Sequence, residues 1–310
     1  MKLNLHHMKT GFYSLLLFAG ITFFPACSST ENQDSNEAPP PASSPDKEDL
    51  NQAQQVLYSM PSPFELASLI KNSGATFSKE LINSPESVSK YTTSKSRALN
   101  LGIYGADLSY ASIFGQTQEA MKYLQCVKSI TEALGISASF DSETMKRIDK
   151  TMAKKDEKDR DDELQEIVSE AYLTANAFLK DNERTKTASL ILAGGWVEGL
   201  FIASSLSRKT EKNKDLLMMI AEQKFSLENL VSLLEAYEED QQVAEVLKDM
   251  NELLTIYNKV EESTSAAVKV STDTVKNVTE IGGDAIVSIT PELAAEISAK
   301  ISSIRNMYIQ

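Results

Sequence analysis

The stretch LILAGGWVEGLFIAS, residues 190–204, decides the fold. It is apolar on every side of a helix, so the segment 188–206 has to be buried, either in a bilayer or inside a protein. Two features choose the protein. Glu198 sits in the middle, and an acid there is expensive in hydrocarbon. Ala193, Gly194, Gly195 and Gly199 strip side chains from the surface and invite a second backbone to approach. The chain offers that second helix in LGIYGADLSYASIF, residues 101–114. There Asp107 lies among Leu101, Ile103, Leu108 and Ile113, with Gly102, Gly105, Ala106 and Ser109 as the small residues. Aligning the two acids also pairs Leu101 with Leu192, Gly102 with Ala193 and Tyr110 with Phe201, the pattern an ancient duplicated helix pair would leave. The expectation is two central helices packed together around two acids.

Outward from this pair, helix signals dominate. Ser62-Pro63-Phe64-Glu65 has the form of a capping box with proline at the first helical position, and Asn72-Ser73-Gly74 ends that helix. A long helix is expected over 92–114. In TQEAMKYLQCVKSITEALG, Met121, Leu124, Val127, Ile130 and Leu134 recur at helical spacing, and Gly135 terminates the run. A short helix starts at Asp141 or Ser142. The charged run KKDEKDRDDEL, 154–164, reads as a solvated stretch without the loop pattern calcium needs. Further helices are expected over 164–181, 186–206, 213–238 with a break near Ser226, and 240–262. The last carries a stripe of Val243, Val246, Leu247, Met250, Leu253, Leu254, Tyr257 and Val260.

After Ser263 the texture changes. The run AAVKVSTDTVKNVTEIGGDAIVSIT is rich in Val, Thr and Ile with partial alternation, and Gly282-Gly283-Asp284 is a turn signal. Within 263–290 this predicts a small β-hairpin pairing 267–278 with 284–289; a helix over 263–280 is the alternative. Thr290-Pro291-Glu292 then opens a last helix, 291–308, with Leu293, Ile297, Ile301 and Ile304 on one face. The fold class is therefore mainly α, a multi-helix bundle or array of antiparallel helices, with a small C-terminal hairpin before the last helix.

The N-terminal segment supplies an address. Lys2 and Lys9 precede an apolar run from Gly11 to Phe24, too short for a bilayer but suited to a signal core. Met8 is an alternative start. Phe24-Pro25-Ala26-Cys27 resembles the lipobox of bacterial lipoproteins, departing from the usual pattern at Phe24 and Pro25. The resemblance implies cleavage after residue 26 and lipidation of Cys27. Residues 27–45, rich in Pro, Ser, Asn and Glu, lack the apolar content for a core and read as a disordered tether, roughly 23 Å long as a coil. The helical body is assigned to 46–310.

Composition excludes several chemistries. Both histidines, His6 and His7, lie in the leader, so the mature chain lacks imidazole for Ser-His-Asp catalysis or His-ligated zinc. Apart from Cys27 there is only Cys126, set in a helical pattern as a small buried residue, so no internal disulfide scaffold is available. The net charge of −13 argues against nucleic acid as a partner, and loss of Lys2 and Lys9 makes it two units more negative. No cofactor and no metal site is expected.

The segments SPFELASLIKNSGATFSKELINS, ALNLGIYGADLSYASIFGQTQEAMKYL and ASLILAGGWVEGLF resemble a family of mostly helical lipoproteins of Gram-negative bacteria that carries no assigned activity. The likeness extends to the C-terminal TPELAAEISAKISSIRN. It implies a helical body on a lipid anchor. With Ser28 rather than Asp after the cysteine, the expected anchor site is the outer membrane, or else the outer face of the inner one, with the body in the periplasm or at the cell surface. It transfers no catalytic residue. For the two acids there are two readings. In one they sit at a polar edge or bond Tyr104, Tyr110 or Lys95. In the other Asp107 and Glu198 line an internal pocket with Tyr104, Tyr110 and Trp196 and bind a small ligand. The expected role is a non-enzymatic binding or assembly component with an envelope protein or small ligand as partner. The alternative is a carboxylate-only enzyme such as a glycan hydrolase, which needs two acids about 5–9 Å apart across an open cleft.

Overall fold

Side-chain caps set where several helices begin. Ser62 Oγ accepts from Glu65 N while Glu65 Oε2 accepts from Ser62 N, which starts α1, Pro63–Asn72. Thr93 and Ser96 make the same reciprocal pair and start α2, Ser94–Ile113. Thr290 Oγ1 accepts from Leu293 N ahead of Pro291 and starts the C-terminal helix. Each cap satisfies backbone N–H groups that a helix leaves unpaired, worth about 1 kcal/mol. The computed structural model describes residues 60–136, 142–154, 156, 158–160, 162–167, 170, 184–209, 214–264, 269–273, 278–282 and 285–310. The leader, Cys27 and the tether lie outside these residues, as does most of the helix expected over 164–181.

After α2 come α3 (Thr117–Leu134), α4 (Ser142–Met152), α5 (Thr185–Lys209), α6 (Lys214–Glu235) and α7 (Gln241–Tyr257). Four short strands follow, β1 (Glu261–Thr264), β2 (Lys269–Asp273), β3 (Val278–Gly282) and β4 (Ala285–Ser288), and then α8 (Pro291–Tyr308). The fold is the expected helical array. α2 and α5 form its centre; α1 and α3 pack on α2, while α6 and α8 pack on α5 and α7. Basic side chains from elsewhere close two helix ends. Lys71 Nζ donates to Ile113 O at 2.5 Å, and Arg184 donates to Leu134 O at 2.8 Å. Cations placed there meet orphan carbonyls and the negative end of the helix dipole.

α5 is long and apolar enough to cross a bilayer by length and composition, yet 89% of its most apolar window is buried inside the body. Its glycines do what the sequence suggested. A Cβ built on Gly102 would lie 1.9 Å from Ile191 O, and one built on Gly194 would lie 2.0 Å from Leu99 O. The α2 and α5 backbones therefore touch, and only glycine fits at those two positions.

Three boundaries differ from the sequence reading. α6 runs unbroken through Ser226. α7 stops at Tyr257, with Asn258 as its cap, so Val260 is buried beyond the helix and not as part of its stripe. Strands do form in this region, but 284–289 does not pair with 267–278 as expected. β2 pairs antiparallel with β3, Asp273 opposite Val278, and β1 pairs with β4, Glu261 opposite Ser288. Gly282 is a paired strand residue opposite Lys269. Reversal at 282–284 would face a long run against a short one. The observed register lets backbone groups pair along both arms.

Candidate functional site

Asp107 and Glu198 come together, and both are 0% exposed. α2 supplies Asp107, and α5 supplies Glu198. The partner that sequence reasoning missed is Arg305, on α8. Its guanidinium grips Glu198 side-on, Nε to Oε2 at 2.9 Å and Nη2 to Oε1 at 2.9 Å. The same Nη2 donates to Leu81 O at 3.2 Å, and the guanidinium carbon stands 4.6 Å from the centre of the Phe201 ring. A bidentate pair of this kind is among the strongest polar contacts available to a protein, and the cation–aromatic contact with Phe201 covers one face of the guanidinium.

Asn83 is the second missed residue. Its backbone N–H donates to Asp107 Oδ2 at 3.0 Å, its carbonyl accepts from the Tyr123 hydroxyl at 2.7 Å, and its Nδ2 donates to the Tyr91 hydroxyl at 3.0 Å. Tyr91 in turn reaches Ile309 O at 3.4 Å. The segment 81–83 is thereby stitched to α2, α3 and the end of α8. Asp107 Oδ1, by contrast, is buried without an assigned donor.

Electrostatics follow from the burial. Desolvation and the neighbouring charge of Glu198 push the Asp107 carboxyl well above its ordinary value, against the opposing pull of Arg305 and the Asn83 N–H. Burial disfavours the Arg305 charge, but the charge and hydrogen bonds of Glu198, with help from Asp107, outweigh it and hold the guanidinium above its ordinary value. The cluster therefore contains one firm cation, largely buried, and two acids with no exposed surface.

The other expected site residues are near but engaged elsewhere. The Tyr104 hydroxyl donates to Ser84 O at 2.7 Å, and burial drives its ionisation beyond reach. The Tyr110 hydroxyl accepts from Ser78 N at 3.0 Å and reaches Thr76 O at 3.4 Å; burial pushes it up to about 12. Trp196 Nε1 donates to Gln223 Oε1 on α6 at 3.1 Å. Lys95 pairs with Glu245, not with either acid. Cys126 is buried as expected, 3.7 Å from Pro85 O, with its thiol pushed up to about 11 by burial. A surface cleft of about 340 Å³ lies between α2, α7 and α8, framed by Lys95, Leu99, Glu245, Asp249, Met307 and Tyr308; neither Asp107 nor Glu198 lines it. In it Lys95 pairs with Glu245, and the Tyr308 hydroxyl donates to Asp249 Oδ2 at 3.2 Å. Among the described residues no group of three or more acidic, His or Cys side chains is placed to hold a metal.

No protein-family model, curated protein or solved structure matches this chain.

Proposed function

We propose that this chain is a lipid-anchored cell-envelope protein, tethered through Cys27, whose helical body is a non-enzymatic binding or assembly component. The address is supported by the sequence: a basic front, a short apolar core, Ala26 before Cys27, and a polar tether after it. Lipid on that cysteine anchors stably, because each buried methylene contributes about 0.8 kcal/mol and more than one acyl chain is attached. Ser28, in place of an acid after the cysteine, favours the outer membrane.

The observation that carries the non-enzymatic half is the enclosure of the acid pair. A glycan hydrolase acting through Asp107 and Glu198 needs an open cleft with room for a sugar ring between them. Here both acids have zero exposure, and Arg305 occupies both oxygens of Glu198. The carboxylates serve the packing of three helices. Mass spectrometry of the natively expressed protein tests the anchor: the reading expects a chain beginning at Cys27 with diacylglycerol on sulfur and an acyl group on nitrogen. A free thiol at position 27 or an uncut leader refutes it. Glu198→Gln tests the other half: on glycan substrates it leaves any turnover unchanged, whereas loss of turnover in a folded variant would restore the hydrolase reading.

A further inference from the structure

Arg305 offers one positive charge to two acids, and its described hydrogen bonds go to Glu198 and to Leu81 O. Asp107 receives a donor only at Oδ2, from Asn83 N, while Oδ1 is buried with no assigned donor. Two ionised carboxylates facing each other without water leave a net negative charge in the core, which burial penalises heavily. A single proton resolves both anomalies, because it removes the surplus charge and turns the orphan oxygen into a donor. We infer that Asp107 is a neutral carboxylic acid that donates from Oδ1 to Glu198, so that the junction of α2, α5 and α8 is a charge-balanced latch that weakens as pH rises.

The groups facing the pair allow this. Tyr104 on α2 and Tyr123 and Cys126 on α3 feel the charge of Asp107 and are raised by burial, so they stay neutral below about pH 9. Tyr91 faces Arg305 and bonds Asn83. Arg305 is thus the cation facing the acids among these neighbours. In the unfolded chain Asp107 ionises near its ordinary 3.8, whereas in the folded chain it holds its proton to higher pH. The folded state then binds one more proton than the unfolded state. Stability is greatest below the unfolded value and declines as pH rises towards the folded one. The decline amounts to at most tenfold in the folding equilibrium per pH unit, from about pH 4 upward.

The test compares urea unfolding of the full chain and of Asp107→Asn at a series of pH values from 5 to 8. Asparagine keeps the shape, accepts from Asn83 N and donates to Glu198 without titrating. The expected result is a wild-type folding constant that falls relative to the variant's as pH rises, by up to tenfold per unit. Parallel pH curves overturn the inference. Carboxyl-carbon NMR on aspartate-labelled wild-type protein keeps the question open to refutation if the variant does not fold. One aspartate carbon is expected at the protonated position near neutral pH, and ionisation of all of them by pH 5 overturns the inference. In Glu198→Gln, Asp107 becomes the counter-ion of Arg305 and the protonated signal disappears; its persistence there overturns the charge-balance argument.

Discussion

Two glycines on one helix predict opposite outcomes for the same substitution. Gly102 and Gly105 both lie in α2. A Cβ at Gly102 would sit 1.9 Å from Ile191 O and 2.5 Å from Gly195 N, whereas a Cβ at Gly105 meets nothing within 4 Å. The atoms blocking Gly102 are backbone and cannot rotate aside, so α2 and α5 must separate by about 1.5 Å to reach ordinary contact. Overpacking costs about 1–3 kcal/mol, and a backbone-on-backbone clash at the central crossing belongs at the upper end. Alanine returns about 1 kcal/mol of helix propensity. Gly102→Ala should therefore lose about 2 kcal/mol or more, near 4–8 °C in Tm for a body of this size. Gly105→Ala keeps the propensity gain and should be more stable by about 0.5–1 kcal/mol. Urea unfolding can be followed on Trp196, the sole tryptophan, which is buried against Gln223. Equal signs for the two variants, or a stabilised Gly102→Ala, would refute the close crossing of α2 and α5.

Arg305→Ala removes the cation and leaves two enclosed acids, so it should cost about 3–5 kcal/mol near neutral pH, read by urea unfolding. Cys126 should resist thiol alkylation in the native state, because it is buried and its thiol is pushed up to about 11; rapid labelling without denaturant would contradict its placement. Thr290→Ala should lose about 1 kcal/mol with the cap of α8, seen as a lowered urea midpoint at unchanged slope.

What the sequence revealed and what it hid follow from the range of each signal. Caps, glycine stops and apolar stripes act within one turn, and they placed α1, α3 and α8 closely. Strand pairing depends on which residues lie opposite, and a two-glycine signal at 282–283 does not reveal that Gly282 pairs with Lys269. Asp107 and Glu198 were conspicuous because each breaks an apolar run. Arg305 breaks one too: it follows Ile297 and Ile301 at helical spacing on the buried face of α8. Its chemistry was legible there, since two buried acids call for a cation and a cation on an apolar stripe calls for an acid. Asn83 was not legible, because two of its three bonds to the network come from its backbone, and backbone groups carry no residue-type signal.

The same cluster explains why α5 belongs to a protein interior. By hydropathy alone the helix could enter a bilayer, where Glu198 would have to give up its charge or draw water in after it. In the body, Glu198 meets a fork-shaped cation fixed by Leu81 O and the Phe201 ring, and that cation comes from a helix 107 residues later in the chain. The pairing is specific as well as neutralising. Sliding α8 by one turn along α5 would leave the acid and the guanidinium both buried and unmatched, a penalty of several kcal/mol that an all-apolar interface would not impose. The small residues allow α2 and α5 to touch, and the charged residues fix where α8 lies against them.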